Sequence, residues 1–305
     1  MKIPKKIYPY RLPYMGSKQN IAYSLMMAIA QKKPKAKYFF DIFGGGAAMS
    51  LMASQFGLKV FYTEKNVGIV NLLNFLKDNK IPKEWIKWID RDEFKRCVGK
   101  DDPYSVFVTV VWSFGNNRQA YLFGKDIEGL KRLAFEVIVN RDYKCLDDLK
   151  KQTGLNLKMP TEAKLHDRRL DFHRQIQKQK GFHRGIESLI NMQALTQLEC
   201  CSRLAACERL QQLEYLQQLE YPNEEVIIYC DPPYRGTAEY ADKDFNYKEF
   251  DDWVRKLKYD VFISEYNTPF EKIASFGKMS LLNNSKKKKP LISENLYFHK
   301  SEIKN

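Results

Sequence analysis

The stretch AKYFFDIFGGGAAMSLMASQFGLKVFYTE, residues 36–64, carries the clearest signal of secondary structure in this chain. Its first part, 36–43, is aromatic and β-prone, and the residues that follow the glycines have the apolar content of a helix. Residues 58–64 form a second β-prone run. Two strands separated by a helix, with a glycine-rich first turn, are typical of a βαβ unit in a parallel sheet.

Strand signals recur only near the other end of the chain. A helical stretch covers about 66–77, and the next strand pattern is EEVIIYC at 224–230. YDVFISEYN at 259–267 and two β-prone segments, near GKMSLL and ISENLYFH, follow it. The sequence therefore predicts an α/β fold with a doubly wound, mostly parallel, Rossmann-like sheet built from both ends of the chain.

The middle of the chain predicts a different kind of domain. Residues 79–220 are polar, charged and mostly helical in period, so we expect a helical insertion between the sheet-forming parts, 1–78 and 221–305. Near its end LQQLEY occurs twice in tandem, at 210–221. The leucine spacing predicts a helix that packs on the core or on a partner.

The net charge of +14 over 305 residues suggests an acidic partner. Nucleic acid is the first candidate and a membrane surface the second, while a solvated, lysine-rich surface is the alternative. No window is apolar enough to span a bilayer and the N-terminus lacks the apolar core of a secretory signal, so we expect a cytoplasmic protein. The six cysteines lack a CxxC pair, which predicts neither a zinc site nor a disulfide framework.

The glycine-rich turn predicts a ligand site. Glycines 44–46 let a ligand approach the backbone at the end of the first strand, and Glu64, at the end of the second, can accept hydrogen bonds from ribose hydroxyls. The spacing is not GxGxxG, which favours a nucleoside without a diphosphate. A tight turn without a ligand is the alternative.

The segment DPPY, 231–234, predicts a pocket for an aromatic amine. Two prolines hold Asp231 and the Pro232 carbonyl rigidly beyond a strand end. Two neighbouring acceptors suit an amino group with two donor hydrogens, and Tyr234 offers a flat face to a planar ring. A structural Pro-Pro turn with an N-capping aspartate is the alternative.

Together, PYMGSK at 13–18, DIFGGGA at 41–47 and DPPY resemble the motifs of the Dam-like DNA adenine methyltransferases. The order of the motifs is that of the adenine-modifying group. The resemblance covers about 8–75 and 222–300, with weaker matches at FISEYN and ENLYF. It implies a bacterial or phage-encoded enzyme that uses S-adenosylmethionine, needs no metal and acts on an adenine flipped out of double-stranded DNA.

The resemblance also implies roles for single residues. Asp231 and the Pro232 carbonyl would accept the two hydrogens of the adenine amino group, and Tyr234 would stack on the base; Pro233 completes this catalytic motif. Lys18 would pair with the donor's carboxylate, although a solvated lysine beside a helix-capping Ser17 is its alternative. The residues implied on the donor side are Tyr14, Lys18, Asp41, Phe43, Gly44, Gly45, Gly46, Glu64 and Asp231.

Part of the insertion, WSFGNNRQAYLFGKD at 112–126, is similar to the start of the family's target-recognition region. Its side chains can pair with base edges, although a polar loop between helices is the alternative. The candidates for DNA binding here are Asn116, Asn117, Arg118, Gln119 and Tyr121, flanked by Trp112 and Phe114. The candidates for phosphate contact are Arg168, Arg169, Arg174, Arg184 and the run 286–289, which we expect at a hairpin tip.

Other functions remain open at this stage. DPPY chemistry suits any conjugated amine, so the acceptor could be a cytosine amino group or RNA, although the motif order argues against cytosine. A non-catalytic DNA-binding protein on the same fold is the alternative from a different class. A cognate restriction endonuclease is a candidate partner, and the sequence gives neither the recognition site nor the oligomeric state.

Overall fold

The computed structural model describes residues 1–7, 12–179, 194–196, 210–212, 221–235, 245–278 and 292–303. The chain divides into two compact units. The first comprises 1–11, 16–67 and 207–305, and the second comprises 12–15 and 68–206.

The first unit is built on one mixed sheet. Its described strands are β1 (Tyr38–Asp41), β2 (Lys59–Tyr62), β3 (Leu210–Gln212), β4 (Val226–Cys230), β5 (Val261–Glu265), β6 (Glu271–Lys278) and β7 (Ile292–His299). They lie in the order β3-β2-β1-β4-β5-β7-β6. The first five pair in parallel, and β7 is antiparallel to both β5 and β6. This confirms a mixed α/β class with a mostly parallel sheet, compatible with a Rossmann-like fold.

The described helices are α1 (Ala22–Lys32), α2 (Ala48–Gln55), α3 (Val67–Asp78), α4 (Arg91–Cys97), α5 (Pro103–Val111), α6 (Lys125–Asn140), α7 (Tyr143–Thr153), α8 (Leu165–Gln177) and α9 (Tyr247–Lys256). None of the helices in the described ranges combines the length and the apolar character needed to span a membrane.

Two apolar cores cover the two faces of the sheet. Successive residues of a strand point to opposite faces, so Phe39 packs into a core with α1 and α2, while Phe40 packs into another with α9. Every residue of β4 is buried. This explains why VIIYC is continuously apolar rather than alternating, as expected for a parallel strand covered on both faces.

A buried ion pair ties the amino ends of the strands to the end of α1. The Lys33 ammonium lies 2.6 Å from Asp260, which precedes β5, and donates to the carbonyl of Asn223, ahead of β4, at 2.8 Å. Burial alone would raise the pKa of Asp260, but hydrogen bonds from Lys33, the Ser301 N–H and Asn223 outweigh it, so this pKa lies below its ordinary value. The pair is structural and lies at the opposite end of β5 from Glu265.

The second unit is helical in its described part, from α3 to α8. Its core contains an aromatic cluster in which Trp88 contacts Trp112, Phe123 and Phe135. Trp112 is fully buried, so it belongs to this core rather than to a DNA-binding surface.

One local prediction is wrong, and one alternative is excluded. Residues 210–212, the start of the LQQLEY repeat, form β3 rather than a helix, because their backbone pairs in parallel with β2. Ser17 does not cap α1: the Ile21 N–H donates to the Lys18 carbonyl at 2.9 Å, so a turn precedes the helix, which has no side-chain cap. The rest of the repeat to 220, Arg184 and the run 286–289 lie outside the described residues.

Candidate active site

The glycine motif and the DPPY motif lie side by side at the carboxyl edge of the sheet. β1 and β4 are neighbouring parallel strands, with Asp41 in register with Tyr229. The glycine turn follows Asp41, and Asp231 comes two residues after Tyr229. The chain continues from β1 towards one edge of the sheet and from β4 towards the other. Ligands bind preferentially at such a reversal of strand order in an α/β sheet.

Lys18 lies at the centre of a buried cluster of charged groups beside this edge. Its ammonium is 2.6 Å from Oδ2 of Asp231 and 3.6 Å from Oε1 of Glu294. It also lies 4.6 Å from the centroid of the Tyr234 ring and donates to the Gly16 carbonyl at 3.3 Å. The structure thus brings a residue of the N-terminal motif into contact with two residues of DPPY.

Glu294, on β7, is the member of this cluster for which no role was predicted, although it is the first residue of the weakly matching segment ENLYF. Its carboxylate is fully buried, and Oε1 accepts a hydrogen bond from the Tyr234 hydroxyl. Oε2 is buried and has no hydrogen-bond partner within the described ranges. Burial raises the pKa of the Glu294 carboxyl. The positive charge of Lys18 opposes this rise, and the negative charge of Asp231 adds to it. A glutamate inside the β-prone segment ISENLYFH was the available sequence signal, since charged residues are rarely buried without a partner.

Asp231 and Tyr234 differ in accessibility. The Asp231 side chain is 17% exposed, whereas Tyr234 is only 3% exposed. Pro232 is buried and Pro233 half-buried. The ring of Tyr266 meets that of Tyr234 at an interplanar angle of 72°, with centroids 4.5 Å apart. In this arrangement Asp231 and Pro233 are the partly exposed residues of DPPY, although Oδ1 of Asp231 is itself buried. Lys18 and Tyr266 contact the tyrosine ring.

The backbone after DPPY is held by a second carboxylate. Glu265, at the end of β5, accepts from the N–H of Arg235 at 3.1 Å and from the N–H of Tyr266 at 2.7 Å. The Arg235 guanidinium pairs with Asp251 of α9 at 2.6 Å. Burial raises the pKa of Glu265, and these two backbone hydrogen bonds oppose the rise. Arg235, for which no role was predicted, therefore fixes the chain directly after the motif.

The glycine turn packs so closely against β2 that Gly44 has no space for a side chain. A Cβ on Gly44 would lie 2.0 Å from the Tyr62 ring, and the Tyr62 hydroxyl donates to the Gly45 carbonyl at 2.7 Å. The N–H of Gly45 in turn donates to Oε2 of Glu64 at 2.8 Å. Gly46 is buried in the same turn. Glu64 thus supports the turn, and its remaining lone pairs can still accept from a diol.

Asp41 is almost fully buried beneath this turn. Its Oδ2 accepts from the N–H of Ser50 at 3.1 Å and from the Ser50 hydroxyl at 2.6 Å. Burial raises the pKa of Asp41 to about 7, although these hydrogen bonds oppose the rise. Oδ1 is buried without a hydrogen-bond partner in the described part of the chain. Asp41 therefore anchors α2 and retains one acceptor atom.

An aromatic pocket of about 470 Å³ opens beside the same turn. The ring of Phe43 meets those of Phe245 and Phe250 edge-on, with centroids 5.8 Å apart in each case. A pocket of this size with a few polar groups at its wall suits a small planar ligand. Its lining residues are Ile42, Phe43, Lys65, Phe245, Asn246, Glu249, Phe250 and Trp253.

Within the second unit, residues 112–122 form a closed loop. The Phe114 N–H donates to the Ala120 carbonyl at 2.8 Å, and the Leu122 N–H donates to the Trp112 carbonyl at 2.9 Å. Gly115, Asn116 and Arg118 all have positive φ angles, between 57° and 62°. The loop therefore has a defined shape, and Phe114, 59% exposed, lies in it.

The five predicted DNA-binding residues play different parts in this loop. Oδ1 of Asn117 accepts from the N–H groups of Gln119 and Ala120, so this side chain holds the loop. The Tyr121 hydroxyl donates to the Ile89 carbonyl at 2.7 Å. Burial raises the pKa of Tyr121 and lowers that of half-buried Arg118. The exposed Gln119 side chain and the partly exposed Asn116 remain the better candidates for base contacts.

The other described candidates include Tyr14, predicted on the donor side, and Arg168 and Arg174, predicted to contact phosphate. Tyr14 belongs to the second unit, where it partly opposes the lowering of the Arg118 pKa by burial. The Arg168 side chain donates to the Val139 and Ala163 carbonyls, whereas that of Arg174 is exposed. Among the described residues, no group of three or more His, Cys, Asp or Glu side chains is arranged to hold a metal ion.

No protein-family model matches this chain, and no curated protein matches it either. Any functional assignment therefore rests on the residues of the site.

Proposed function

We propose that this chain is a site-specific DNA adenine methyltransferase, which transfers a methyl group from S-adenosylmethionine to the exocyclic amino group of an adenine flipped out of double-stranded DNA. The observation that carries this proposal is the partly exposed Asp231 side chain at the end of β4, directly beside the glycine turn at the end of β1. Adjacent strand ends would bring a donor and an acceptor within reach of each other.

The residues of the glycine turn fit the donor. Gly44 leaves no space for a side chain, Glu64 can accept from ribose hydroxyls, and the pocket beside Phe43 has room for a purine ring. Oδ1 of Asp41 is a buried acceptor beneath the turn. When bound, S-adenosylmethionine would supply an electrophilic methyl group, and these residues would fix its position.

The residues of DPPY suit the acceptor. Adenine's amino nitrogen is a poor nucleophile because its lone pair is conjugated with the ring. Acceptance of its hydrogens by Asp231 and the Pro232 carbonyl would localise the pair on nitrogen, and Tyr234 would support the base. The Asp231 side chain is partly exposed, so an incoming base can approach this end of the motif.

The second unit supplies the proposed DNA contacts. We assign target recognition to the part of the predicted insertion that belongs to the second unit, 79–206, with the exposed Gln119 and the partly exposed Asn116 as base-reading residues of the loop 112–122. The net charge of +14 favours a polyanionic partner. A cytoplasmic enzyme, alone or beside a cognate restriction endonuclease, fits this activity.

The decisive test uses tritium-labelled donor and duplex DNA with wild-type protein and Asp231→Ala. The variant should lose label transfer by roughly 10²-fold or more, because a positioned acceptor of the reacting group is removed. Donor binding, measured by calorimetry, should stay within a few-fold and show that the variant is folded. A variant that methylates at the wild-type rate would refute the proposal.

Digestion of the labelled product to nucleosides identifies the acceptor. Label in N6-methyladenine supports the proposal, whereas label in N4-methylcytosine or in an RNA substrate would support the other acceptors. Wild-type protein that binds DNA but transfers no label would instead be a non-catalytic DNA-binding protein.

A further inference from the structure

The buried cluster around Lys18 has more anionic groups than DPPY chemistry requires. Lys18 is 3% exposed and Glu294 is fully buried, and the cost of removing two such charges from water must be offset by pairing. Glu294 touches two residues of the candidate site, Lys18 and Tyr234. A glutamate in this position would be replaced by an apolar residue at little cost if it served packing alone.

The contact between Lys18 and Asp231 conflicts with the acceptor chemistry proposed above, on which this inference rests. Oδ2 of Asp231 lies 2.6 Å from the Lys18 ammonium, so that oxygen is engaged with a cation. The other oxygen, Oδ1, is buried, so a base amino group that arrives at Asp231 competes with Lys18 for the same carboxylate. Lys18 cannot simply withdraw, because an unpaired buried ammonium is strongly destabilised.

Glu294 offers the Lys18 ammonium a second ion-pair partner. Its Oε1 is already 3.6 Å from the Lys18 nitrogen, and a shift of about 1 Å would convert this contact into a charge-assisted hydrogen bond of ordinary length. The same oxygen accepts from the Tyr234 hydroxyl, so the Tyr234 ring and the ammonium share one anchor.

We propose that Glu294 is a positioning residue of the acceptor site with two roles. It holds Tyr234 through the tyrosine hydroxyl, and it replaces Asp231 as the ion-pair partner of Lys18, so that the Asp231 carboxylate becomes available to the target amine. No covalent step is involved. Lys18 stays charged throughout and only changes its nearer carboxylate.

The kinetic test compares Glu294→Gln with wild type at saturating donor and DNA. Glutamine keeps an acceptor for the Tyr234 hydroxyl but lacks the charge that attracts Lys18. We expect kcat to fall roughly tenfold while the donor's dissociation constant stays within about twofold. In a Lys18→Met background the same substitution should change kcat by less than about twofold, because no ammonium has to move.

Two kinetic results would overturn the proposal. One is a loss of donor affinity in Glu294→Gln with kcat unchanged, which would place Glu294 on the donor side. The other is an equal fall in kcat with and without Lys18, which would show that Glu294 acts independently of it.

A second experiment needs no activity and so separates this inference from the proposed function. Lys18 is followed by NMR of the side-chain nitrogen in 15N-lysine protein, with Lys18→Met to assign its signal. In Asp231→Asn, Lys18 should stay protonated as in wild type, because Glu294 holds it. In the double variant Asp231→Asn/Glu294→Gln its proton affinity should fall roughly a hundredfold. A fall of that size in Asp231→Asn alone would refute the proposal that Glu294 replaces Asp231 as the ion-pair partner of Lys18.

Asp260→Asn is the matched control. Asp260 is another buried acid paired with a lysine, at 2.6 Å, at the opposite end of β5. The substitution should lower the melting temperature, as Glu294→Gln can, but leave kcat per folded molecule and the Lys18 signal unchanged. A loss of kcat in this control equal to that in Glu294→Gln would attribute the effect to general destabilisation and overturn the positioning role.

Discussion

Gly44 is the residue with the strictest steric requirement on the proposed donor side. Its missing side chain is what lets the turn lie against the Tyr62 ring, whose hydroxyl also holds the Gly45 carbonyl. The N–H of Gly44 donates to the Thr63 carbonyl at 2.8 Å, so the turn cannot move away from β2 without losing a hydrogen bond. The glycine is thus required by close approach, independently of any ligand.

Gly44→Ala should therefore damage both stability and donor binding. The added methyl group would meet aromatic carbons at 2.0 Å, and overpacking of this kind costs about 1–3 kcal/mol in the free energy of unfolding. Urea denaturation measures the first effect and calorimetry with the donor measures the second.

Gly129→Ala is the control for this prediction. Gly129 lies within α6, and a Cβ there meets nothing within 4 Å. Alanine should stabilise that helix by up to about 1 kcal/mol and leave donor binding unchanged. If Gly44→Ala behaves like the control, the turn has more freedom than its contacts with Tyr62 indicate.

At the scale of structural elements, the loop 112–122 contains both a side chain that holds its backbone and an exposed side chain that we assign to base contact. Asn117→Ala removes the acceptor of two backbone N–H groups, so it should destabilise the loop by about 1 kcal/mol and weaken binding to every DNA sequence. Gln119→Ala removes an exposed side chain and should leave stability unchanged. It should instead relax the base preference at one position by roughly 1–3 kcal/mol.

Melting curves and methylation of a panel of single-base variants of the target distinguish these outcomes. Equal, sequence-independent losses for both variants would mean that Gln119 reads no base.

The strands and helices that follow from strong local patterns were predictable. VIIYC and VFISE are short, apolar and β-prone, and β4 and β5 lie within the predicted segments. The start of LQQLEY was assigned the wrong structure, because leucines at three-residue spacing fit a helix face while pairing with β2 is a tertiary effect that the local pattern does not contain.

The residues of the candidate site could be predicted from the sequence to different degrees. The positions of Lys18 and Asp231 follow from motifs, but their contact joins segments more than 200 residues apart. Glu294 comes from a third segment, in which ENLYF is only a weak match to the family, and the pairing of β7 with β5 brings it to the cluster. The sequence likewise did not reveal that Glu265, within the weak match FISEYN, and Arg235 hold the backbone after DPPY, because those contacts join separate segments.

At the scale of the whole molecule, charge and architecture divide the proposed work between two units. The first unit holds the glycine turn, DPPY and the Lys18 cluster, and the second holds the loop 112–122 and α8. The excess of 14 positive charges belongs to the whole chain, so attraction to DNA should extend beyond any single base contact.

This charge predicts a steep salt dependence of DNA binding. If the protein neutralises about six phosphates, its affinity for DNA should fall roughly 10³-fold between about 50 and 200 mM salt, because released counterions drive association. Fluorescence anisotropy with a labelled duplex gives the slope of log K against log salt. Removing a true phosphate contact should lower that slope by about one.

Arg174→Gln tests a single contact within this slope. Arg174 is the exposed member of the predicted phosphate-binding arginines on α8, whereas Arg168 is engaged by backbone carbonyls. Arg96→Gln, an exposed arginine on α4 without a proposed role, is the charge-matched control. We expect the slope to change in the first variant and not in the second. Equal slopes in both would assign the attraction to diffuse charge, and a wild-type slope near zero would contradict a DNA partner altogether.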